Sequence, residues 1–262
     1  HTSEEYAALK ARIYAYQTED DYSLVNLDNP GSVSAGEKTR AKKLFFSRIE
    51  QVEQGGFIEN GLVKVRIDGQ EIAACSVDDI RASGTLPGTH SQENVLAAVC
   101  AAAAFRVKPE SIARAVREFK GVEHRMERVA VIGGVLYINN SMCTNPQAFA
   151  RSIEAVEAPA VVIAGGKHKG GSLQPAAKAV KRYAKHLVLI GVSADEIEEA
   201  VRAEGFSDIS RADSLEEAVV RAASIAVPGD TVILAPGCAS FDMFNSFEHR
   251  GQVFKDAVGK LR

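Results

Sequence analysis

The chain lacks most of the signals that would place it in a specialised class. Its four cysteines, Cys75, Cys100, Cys143 and Cys238, are far apart. They form no CxxC pair and no Cys/His cluster, so neither a zinc site nor a disulfide framework is indicated, and a reducing cytoplasm is the simplest compartment. A formal charge of −3 gives no reason to expect nucleic acid or an anionic membrane surface as a partner. The longest apolar run, Val95 to Phe105, is too short to cross a bilayer and is rich in alanine, so it reads as a buried helix. There is no signal-peptide pattern, no internal repeat and no low-complexity tract. The GxGxxG fingerprint of dinucleotide loops is missing as well, and the Gly165-Gly166 pair after a strand does not supply it. The nearest approach to a phosphate-binding P-loop, Gly31 to Thr39, carries Glu37 between the glycine and the lysine. A carboxylate there would repel phosphate and shift Lys38 out of register, so the segment is read as a decoy.

What remains is the composition of an ordinary globular protein, 46% hydrophobic and 25% charged, long enough for one large domain or two ordinary ones. It opens on His1, directly in a helical pattern, as a segment of a larger protein would. Tyr6, Leu9, Ile13 and Tyr16 predict a helix over 3–17, and strands are expected at 22–27 and 43–46. Between Gly56 and Ile72, alternating apolar residues with Asn60-Gly61 and Asp68-Gly69 predict hairpins. Helices are expected at 92–105 and 109–119. The character changes near Gly121 to Glu123. Two strands surround Gly133-Gly134, and strands at 160–164, 187–191 and 230–235 then alternate with helices at 145–157, 173–184, 194–204 and 214–226. That is the rhythm of a parallel sheet covered by helices. The boundary is therefore drawn with domains over 1–122 and 123–262.

The most informative stretch follows the last strand, APGCASFDMFNSFEHRGQVF over 235–254. A strand that runs into small residues and then a helix is where open α/β sheets bind ligands. The Ser240 hydroxyl and nearby N–H groups suit a carboxylate there. Phe241, Phe244 and Phe247 fall at helical spacing, which taken alone favours burial in the core. Glu248 to Gly251 read as a charged turn.

This block resembles the closing motif of the Mur ligases, S-P-A-C-A-S-x-D-x-F-x-x-F-x-x-R-G-x-x-F. Cys238, Ala239, Ser240, Asp242, Phe244, Phe247, Arg250, Gly251 and Phe254 match, while Ala235 and Gly237 depart from it. Tyr6 to Ile13, YAALKARI, resembles the family's helix whose lysine is carbamylated, with Lys10 as the match, and four further segments are similar to motifs of that family. Gly88, His90, Asn94, Ala97 and Ala98 match G-x-H-N-x-x-N-x-x-A-A. The His124-Arg125 pair matches the family's hinge. Asn139, Ser141, Thr144 and Asn145 match N-D-S-K-A-T-N, with Asn140 in place of Asp and Met142 in place of Lys. Gly165, Gly166 and Lys169 match Gly-Gly-x-x-Lys.

The resemblance implies an α/β chain made of the remainder of a P-loop-type ATPase domain followed by a Rossmann-like domain on a parallel sheet. It implies an ATP-dependent ligase of peptidoglycan precursor synthesis, with ATP and Mg²⁺ as cofactors. The expected substrates are UDP-muramoyl-alanine and glutamate, joined through an acyl phosphate by two domains that close on one another. On this resemblance Asn94, Arg125 and Asn140 face the nucleotide. Ser141, Thr144, Lys169, Ser240, Phe241 and Phe247 face the amino acid, with Lys167 a second candidate beside Lys169. Lys10, as a carbamate, and secondarily His1, lie by the metal; Lys10, Arg125 and Lys169 are the catalytic candidates. The enzyme is expected to be a cytoplasmic monomer, and this chain alone, without a P-loop, to be inactive. Read as isolated residues, Asn94 would be a solvent-facing amide, Lys10 an exposed helix lysine and His124-Arg125 a solvated turn. Cys143 has no His/Asp partner at a suggestive spacing and reads as a packed small residue. Asn140 and Met142 keep open a related amino-acid ligase of the folylpolyglutamate type, and the lack of a P-loop keeps open a non-catalytic binding module.

Overall fold

The computed structural model describes residues 3–82, 89–156 and 159–261. His1 and Gly88, named above, lie outside the described residues, as does the side chain of His90. The chain divides into two compact units, which meet in sequence between Lys120 and Gly121.

The first unit opens with helix α1 (Ser3–Ala11), followed by a single 3₁₀ turn at Arg12–Tyr14. The helix is therefore shorter than expected. Its apolar stripe is exposed, with Ile13 at 76% and Tyr16 at 91%, so that periodicity did not mark a face buried within this unit. A five-stranded sheet follows in the order β1 (Tyr22–Asn26), β2 (Lys42–Ser47), β3 (Gly55–Glu59), β4 (Leu62–Ile67), β5 (Gln70–Ser76). The first three strands are parallel and the last two antiparallel. The two expected hairpin turns are present. Asn60 and Gly61 take φ of 51° and 75°, and Asp68 and Gly69 take 53° and 77°, the positive pair that a type I′ turn requires.

Helix α2 (Pro30–Gly36) was not anticipated. It occupies the near-miss P-loop segment. Asn29 caps it by accepting from Ser32 N–H at 3.1 Å, and Pro30 stands at its first position, so the segment is a capped helix rather than a phosphate loop. Helices α3 (Val77–Ala82), α4 (Thr89–Ala104) and α5 (Pro109–Glu118) complete the unit. Leu96, Val99 and Cys100 of α4 are buried with Val63 and Val65 of the sheet. A Cβ on Gly56 would stand 2.4 Å from Cys100 Sγ, so that glycine sets how closely α4 approaches the strands.

The second unit is a six-stranded sheet in the order β10-β9-β8-β11-β7-β6. Its strands are β6 (Glu127–Ile132), β7 (Val135–Asn139), β8 (Ala160–Gly165), β9 (Ala184–Ile190), β10 (Ile209–Arg211) and β11 (Thr231–Gly237). Five strands are parallel. The departure from a purely parallel sheet is β6, which pairs antiparallel to β7 through the Gly133-Gly134 turn. Strand β10 is three residues long, too short to leave a periodic signal. The helices are α6 (Pro146–Glu154), α7 (Gln174–Tyr183), α8 (Ala194–Ala203), α9 (Leu215–Ile225) and α10 (Phe247–Gly259). Leu215 and Val219 of α9 and Phe254 and Val258 of α10 share one core with Val161, Ile163, Val232 and Leu234. The alternate strand residues Val162, Leu189 and Ile233, equally buried, face α6, α7 and α8 on the other side. Residues 241–246 form turns, so Phe241 and Phe244 precede α10 instead of riding on it, whereas Glu248 to Gly251 are helical rather than a turn.

Candidate functional site

Strand β8 is followed by a helix on one face of the sheet and its neighbour β11 by a helix on the other. Their loops therefore diverge and leave a crevice at the carboxyl ends of the two strands, the place where open α/β sheets hold ligands. Lys167 and Ala239 bridge the crevice floor, each N–H donating to the other's carbonyl, at 2.8 and 3.0 Å. The backbones meet this closely because Gly166 has no side chain: a Cβ there would lie 2.3 Å from Ala239 O. Around this floor Lys167 and Lys169 are exposed, Ser240 is buried and Phe241 is 70% exposed. The exposure of Phe241 contradicts the core reading of the three phenylalanines. Phe244 packs on the core as expected, and Phe247 is half-buried, its ring edge-on to His124 with centroids 6.3 Å apart.

Arg250, at 1% exposure, is the largest fully buried side chain. Its Nε donates to Ser141 Oγ at 3.0 Å, its Nη2 to Ser141 O at 2.9 Å and its Nη1 to Cys238 O at 3.1 Å. The guanidinium thus ties the β7–α6 loop to the β11 turn through three neutral oxygens, with no carboxylate hydrogen-bonded to it among the described residues. Burial accordingly pushes it down to about 10, against weaker opposing effects from the Cys143 and Cys238 thiols and Asp242. Burial also pushes those two thiols up to about 11, so both are held neutral. Sequence reasoning placed Arg250 in a motif but gave no sign that it is the hub.

The segment after β7 is spent on the fold to an extent the motif does not suggest. Asn139 donates to Glu127 Oε2 and contacts His124 Nδ1, both at 2.9 Å, and accepts from Ser141 N–H. Asn140 is buried, accepting from Met126 N–H at 3.2 Å and donating to Ser152 Oγ at 2.6 Å. The Ser141 hydroxyl donates to Phe247 O at 2.7 Å while it accepts from Arg250. Thr144 is half-buried, and Asn145 caps α6. Arg125 is exposed between two buried neighbours, His124 and Met126, whose φ values of 63° and 49° are unusual for side chains of that size. The sequence offers no signal for that strained pair. His124, Met142, Phe247, Glu248 and Gln252 line an open depression of about 600 Å³. A second cavity, about 20 Å³ and apolar, lies behind Gly237 and Cys238 under α6, α7 and α8; it has room for one water-sized sphere at most.

Glu123, His124 and Glu127 are close enough together to suggest a cation site. The residues do not suit one. Lys255 already pairs with both carboxylates, and Glu127 Oε2 accepts from His124 N–H and Asn139, so one ammonium and two neutral donors occupy the positions an ion would need. In the first unit, Lys10 on α1 and Asn94 on α4 are both exposed. Lys10 Nζ stands 5.6 Å from the centroid of the Tyr6 ring. No described helix is long and apolar enough to cross a membrane.

Residues 1–102 match the model of the Mur ligase middle domain, and residues 124–238 match that of the Mur ligase glutamate ligase domain. A UDP-N-acetylmuramoylalanine–D-glutamate ligase of Pelotomaculum thermopropionicum is 45% identical over 98% of this chain and 56% of its own length. Its counterpart in Clostridioides difficile is 39% identical over the whole chain and 57% of its own length. The chain thus spans little more than half of these relatives. Among solved structures, a MurF ligase of Thermotoga maritima in complex with ADP superposes with a TM-score of 0.63 at 18% identity, covering 100% of this chain and 59% of that one. A bifunctional folylpolyglutamate synthase/dihydrofolate synthase of Yersinia pestis superposes with a TM-score of 0.64 at 14% identity, covering 98% and 57%. At such identities these two speak for the fold alone. Two adjoining domain matches of one family, and relatives alike along the full chain, lead to one assignment: the chain belongs to the Mur ligase family.

Proposed function

We propose that the chain is the part of a cytoplasmic, ATP-dependent ligase that receives glutamate and joins it to UDP-N-acetylmuramoylalanine in peptidoglycan precursor synthesis. The observation that carries this reading is the Lys167–Ala239 bridge at the carboxyl ends of β8 and β11, which joins the loop bearing the exposed Lys169 to the turn bearing the buried Ser240 and the exposed Phe241. A dicarboxylic amino acid suits it. Lys169 and the half-buried Thr144 meet one carboxylate, N–H groups and the hydroxyl of the Ser240 turn meet the other, and Phe241 and Phe247 wall the methylene chain. Ser141 acts from beneath, through Arg250 and Phe247 O. Arg125, raised on its strained turn, holds nucleotide oxygens. Asn140 supports that turn through Met126 N–H, close to where a ribose would lie. In the other unit Asn94 reads the adenine edge, and Lys10 as a carbamate ligates Mg²⁺, which when bound neutralises the charge of the transferring phosphoryl group. The D-enantiomer is the substrate, as the names of the relatives suggest.

The substrate carboxylate displaces ADP from the γ-phosphate to give an acyl phosphate. The glutamate amine, having lost a proton, then attacks the acyl carbon and phosphate leaves. The test is phosphate release by the complete enzyme, of which this chain is one part, with Lys169→Ala beside it. Release should require ATP, UDP-N-acetylmuramoylalanine and D-glutamate together, and Lys169→Ala should lower kcat/KM for glutamate about 100-fold. The 262-residue chain alone should release none. Turnover with a folate in place of the nucleotide sugar, or with L-glutamate in place of the D form, would refute the assignment.

A further inference from the structure

The β8–α7 loop reads Lys167-His168-Lys169-Gly170-Gly171, and only its first half is pinned. Gly166 N–H donates to Ile190 O at 3.2 Å, Lys167 is bridged to Ala239, and His168 N–H donates to Ser193 Oγ at 2.9 Å. From Lys169 to Gly171 the loop is exposed. Gly170 and Gly171 take φ of 88° and 95°, and a Cβ on either would meet nothing within 4 Å. A glycine pair in open space is the most freely moving backbone a chain can have. Whatever fixes Lys169 must therefore act from its N-terminal side, at His168.

The His168 side chain is 5% exposed although its loop is at the surface. Its Nδ1 lies 2.9 Å from Glu196 Oε1 on α8, and its Nε2 is buried without a hydrogen-bond partner among the described residues. A carboxylate only accepts, so Nδ1 carries the proton of this contact. The residue is thus tied twice, its backbone by Ser193 to the β9–α8 turn and its ring by Glu196 to the first turn of α8. Its other nitrogen is idle. This is the arrangement of a brace, and the residue it supports is the lysine that follows.

We propose that His168 and Glu196 form a positioning pair for the amino-acid subsite, holding the loop so that Lys169 meets the carboxylate of the incoming amino acid already ordered. This rests on the role given to Lys169 above. Fixing the loop in advance removes an ordering cost that would otherwise be taken from substrate affinity. The working atom is Nδ1, and that separates this pair from a direct contact by Nε2.

The experiment compares steady-state kinetics of the complete enzyme carrying His168→Ala, His168→Asn, His168→Gln, Glu196→Ala or Glu196→Gln, with a thermal melt of each. An asparagine amide can reach the place of Nδ1, whereas a glutamine amide reaches that of Nε2. Glu196 is 56% exposed, so its variants should fold even where a change at His168 does not. In His168→Ala and Glu196→Ala the KM for glutamate should rise about tenfold, with the KM for ATP and kcat within about twofold of wild type. His168→Asn and Glu196→Gln should stay within about threefold of wild type in KM for glutamate, and His168→Gln should resemble alanine. An unchanged KM for glutamate in both alanine variants would overturn the proposal, as would rescue by glutamine but not asparagine. A variant that shifts melting temperature and every kinetic constant alike would assign the pair to folding instead. If wild type shows no glutamate-dependent phosphate release, the proposed function fails first, a result distinct from any pattern among the variants.

Discussion

Replacing Arg250 should destabilise the second unit more when the replacement is lysine than when it is methionine. Either substitution takes its donor from the buried carbonyls of Ser141 and Cys238 and one of two partners from the Ser141 hydroxyl. At about 1–3 kcal/mol for each abandoned buried polar group, the two carbonyls alone cost about 2–6 kcal/mol. Methionine recovers part of this. The drop of the guanidinium from its ordinary value to about 10 corresponds to about 3 kcal/mol of charge burial, which disappears with the charge. The net loss for Arg250→Met is then at most about 3 kcal/mol. Lysine keeps the buried charge, and its single nitrogen cannot span three acceptors that a planar fork reaches together. Arg250→Lys should therefore be less stable than Arg250→Met by about 1–2 kcal/mol. Equilibrium urea unfolding of the 262-residue chain, followed by circular dichroism, gives both values from the midpoint and slope. A lysine variant that matches wild type, or exceeds methionine, would refute the account. It would show that charge rather than the three-pronged geometry joins the two loops.

Gly166→Ala, with φ of 125° and its Cβ 2.3 Å from Ala239 O, should lose about 2–4 kcal/mol in thermal melts; Gly170→Ala, with open space around it, should lose about 1 kcal/mol. All four thiols are buried and pushed up to about 11 or 12, so a thiol reagent at pH 8 should label none until urea unfolds the chain; rapid labelling of Cys143 or Cys238 in native protein would contradict their burial. Burial alone would raise Asp230, but the Lys185 ammonium at 2.6 Å and Val227 N–H hold it below its ordinary value. Its folded value being the lower, its contribution is complete above the unfolded carboxyl value of about 4 and is lost as pH falls through the folded one. In Asp230→Asn the urea midpoint should therefore fall less steeply than in wild type below about pH 4.

Much of the fold could be read locally because local chemistry determines it. Asn60-Gly61 and Asp68-Gly69 demand type I′ turns wherever they sit between alternating strands, and they make them here. Helix α2 is masked in the sequence because its two glycines imitate a phosphate loop, although Asn29-Pro30 is a helix start. Gly36 is small for a tertiary reason, since a Cβ there would stand 2.7 Å from Val25 Cγ2, a contact 11 positions back in sequence. The phenylalanine spacing predicted a helix that begins only at its last member. Ser246 caps α10 by accepting from His249 N–H, and the preceding turn leaves Phe241 in solvent. No local pattern can show that Arg250 is buried, because its partners on Ser141 lie 109 residues away.

The positions named by the family resemblance separate physically into two kinds that a motif does not distinguish. Lys10, Asn94, Arg125, Lys169 and Phe241 are exposed, each on an element held in place by other residues. Asn139, Asn140, Ser141 and Arg250 are buried and already bonded to one another's loops. A residue of the first kind has binding capacity still to give, and truncating it should weaken a ligand while leaving stability within about 0.5 kcal/mol. A residue of the second kind has committed its polar atoms to the fold, and truncating it should lower stability and activity together. Measuring both quantities for Lys169→Ala and Asn139→Ala tests the division. A Lys169 variant that melts as early as the Asn139 variant would mean that exposure does not mark the groups that meet substrate. The crevice would then have to be rebuilt from its buried side.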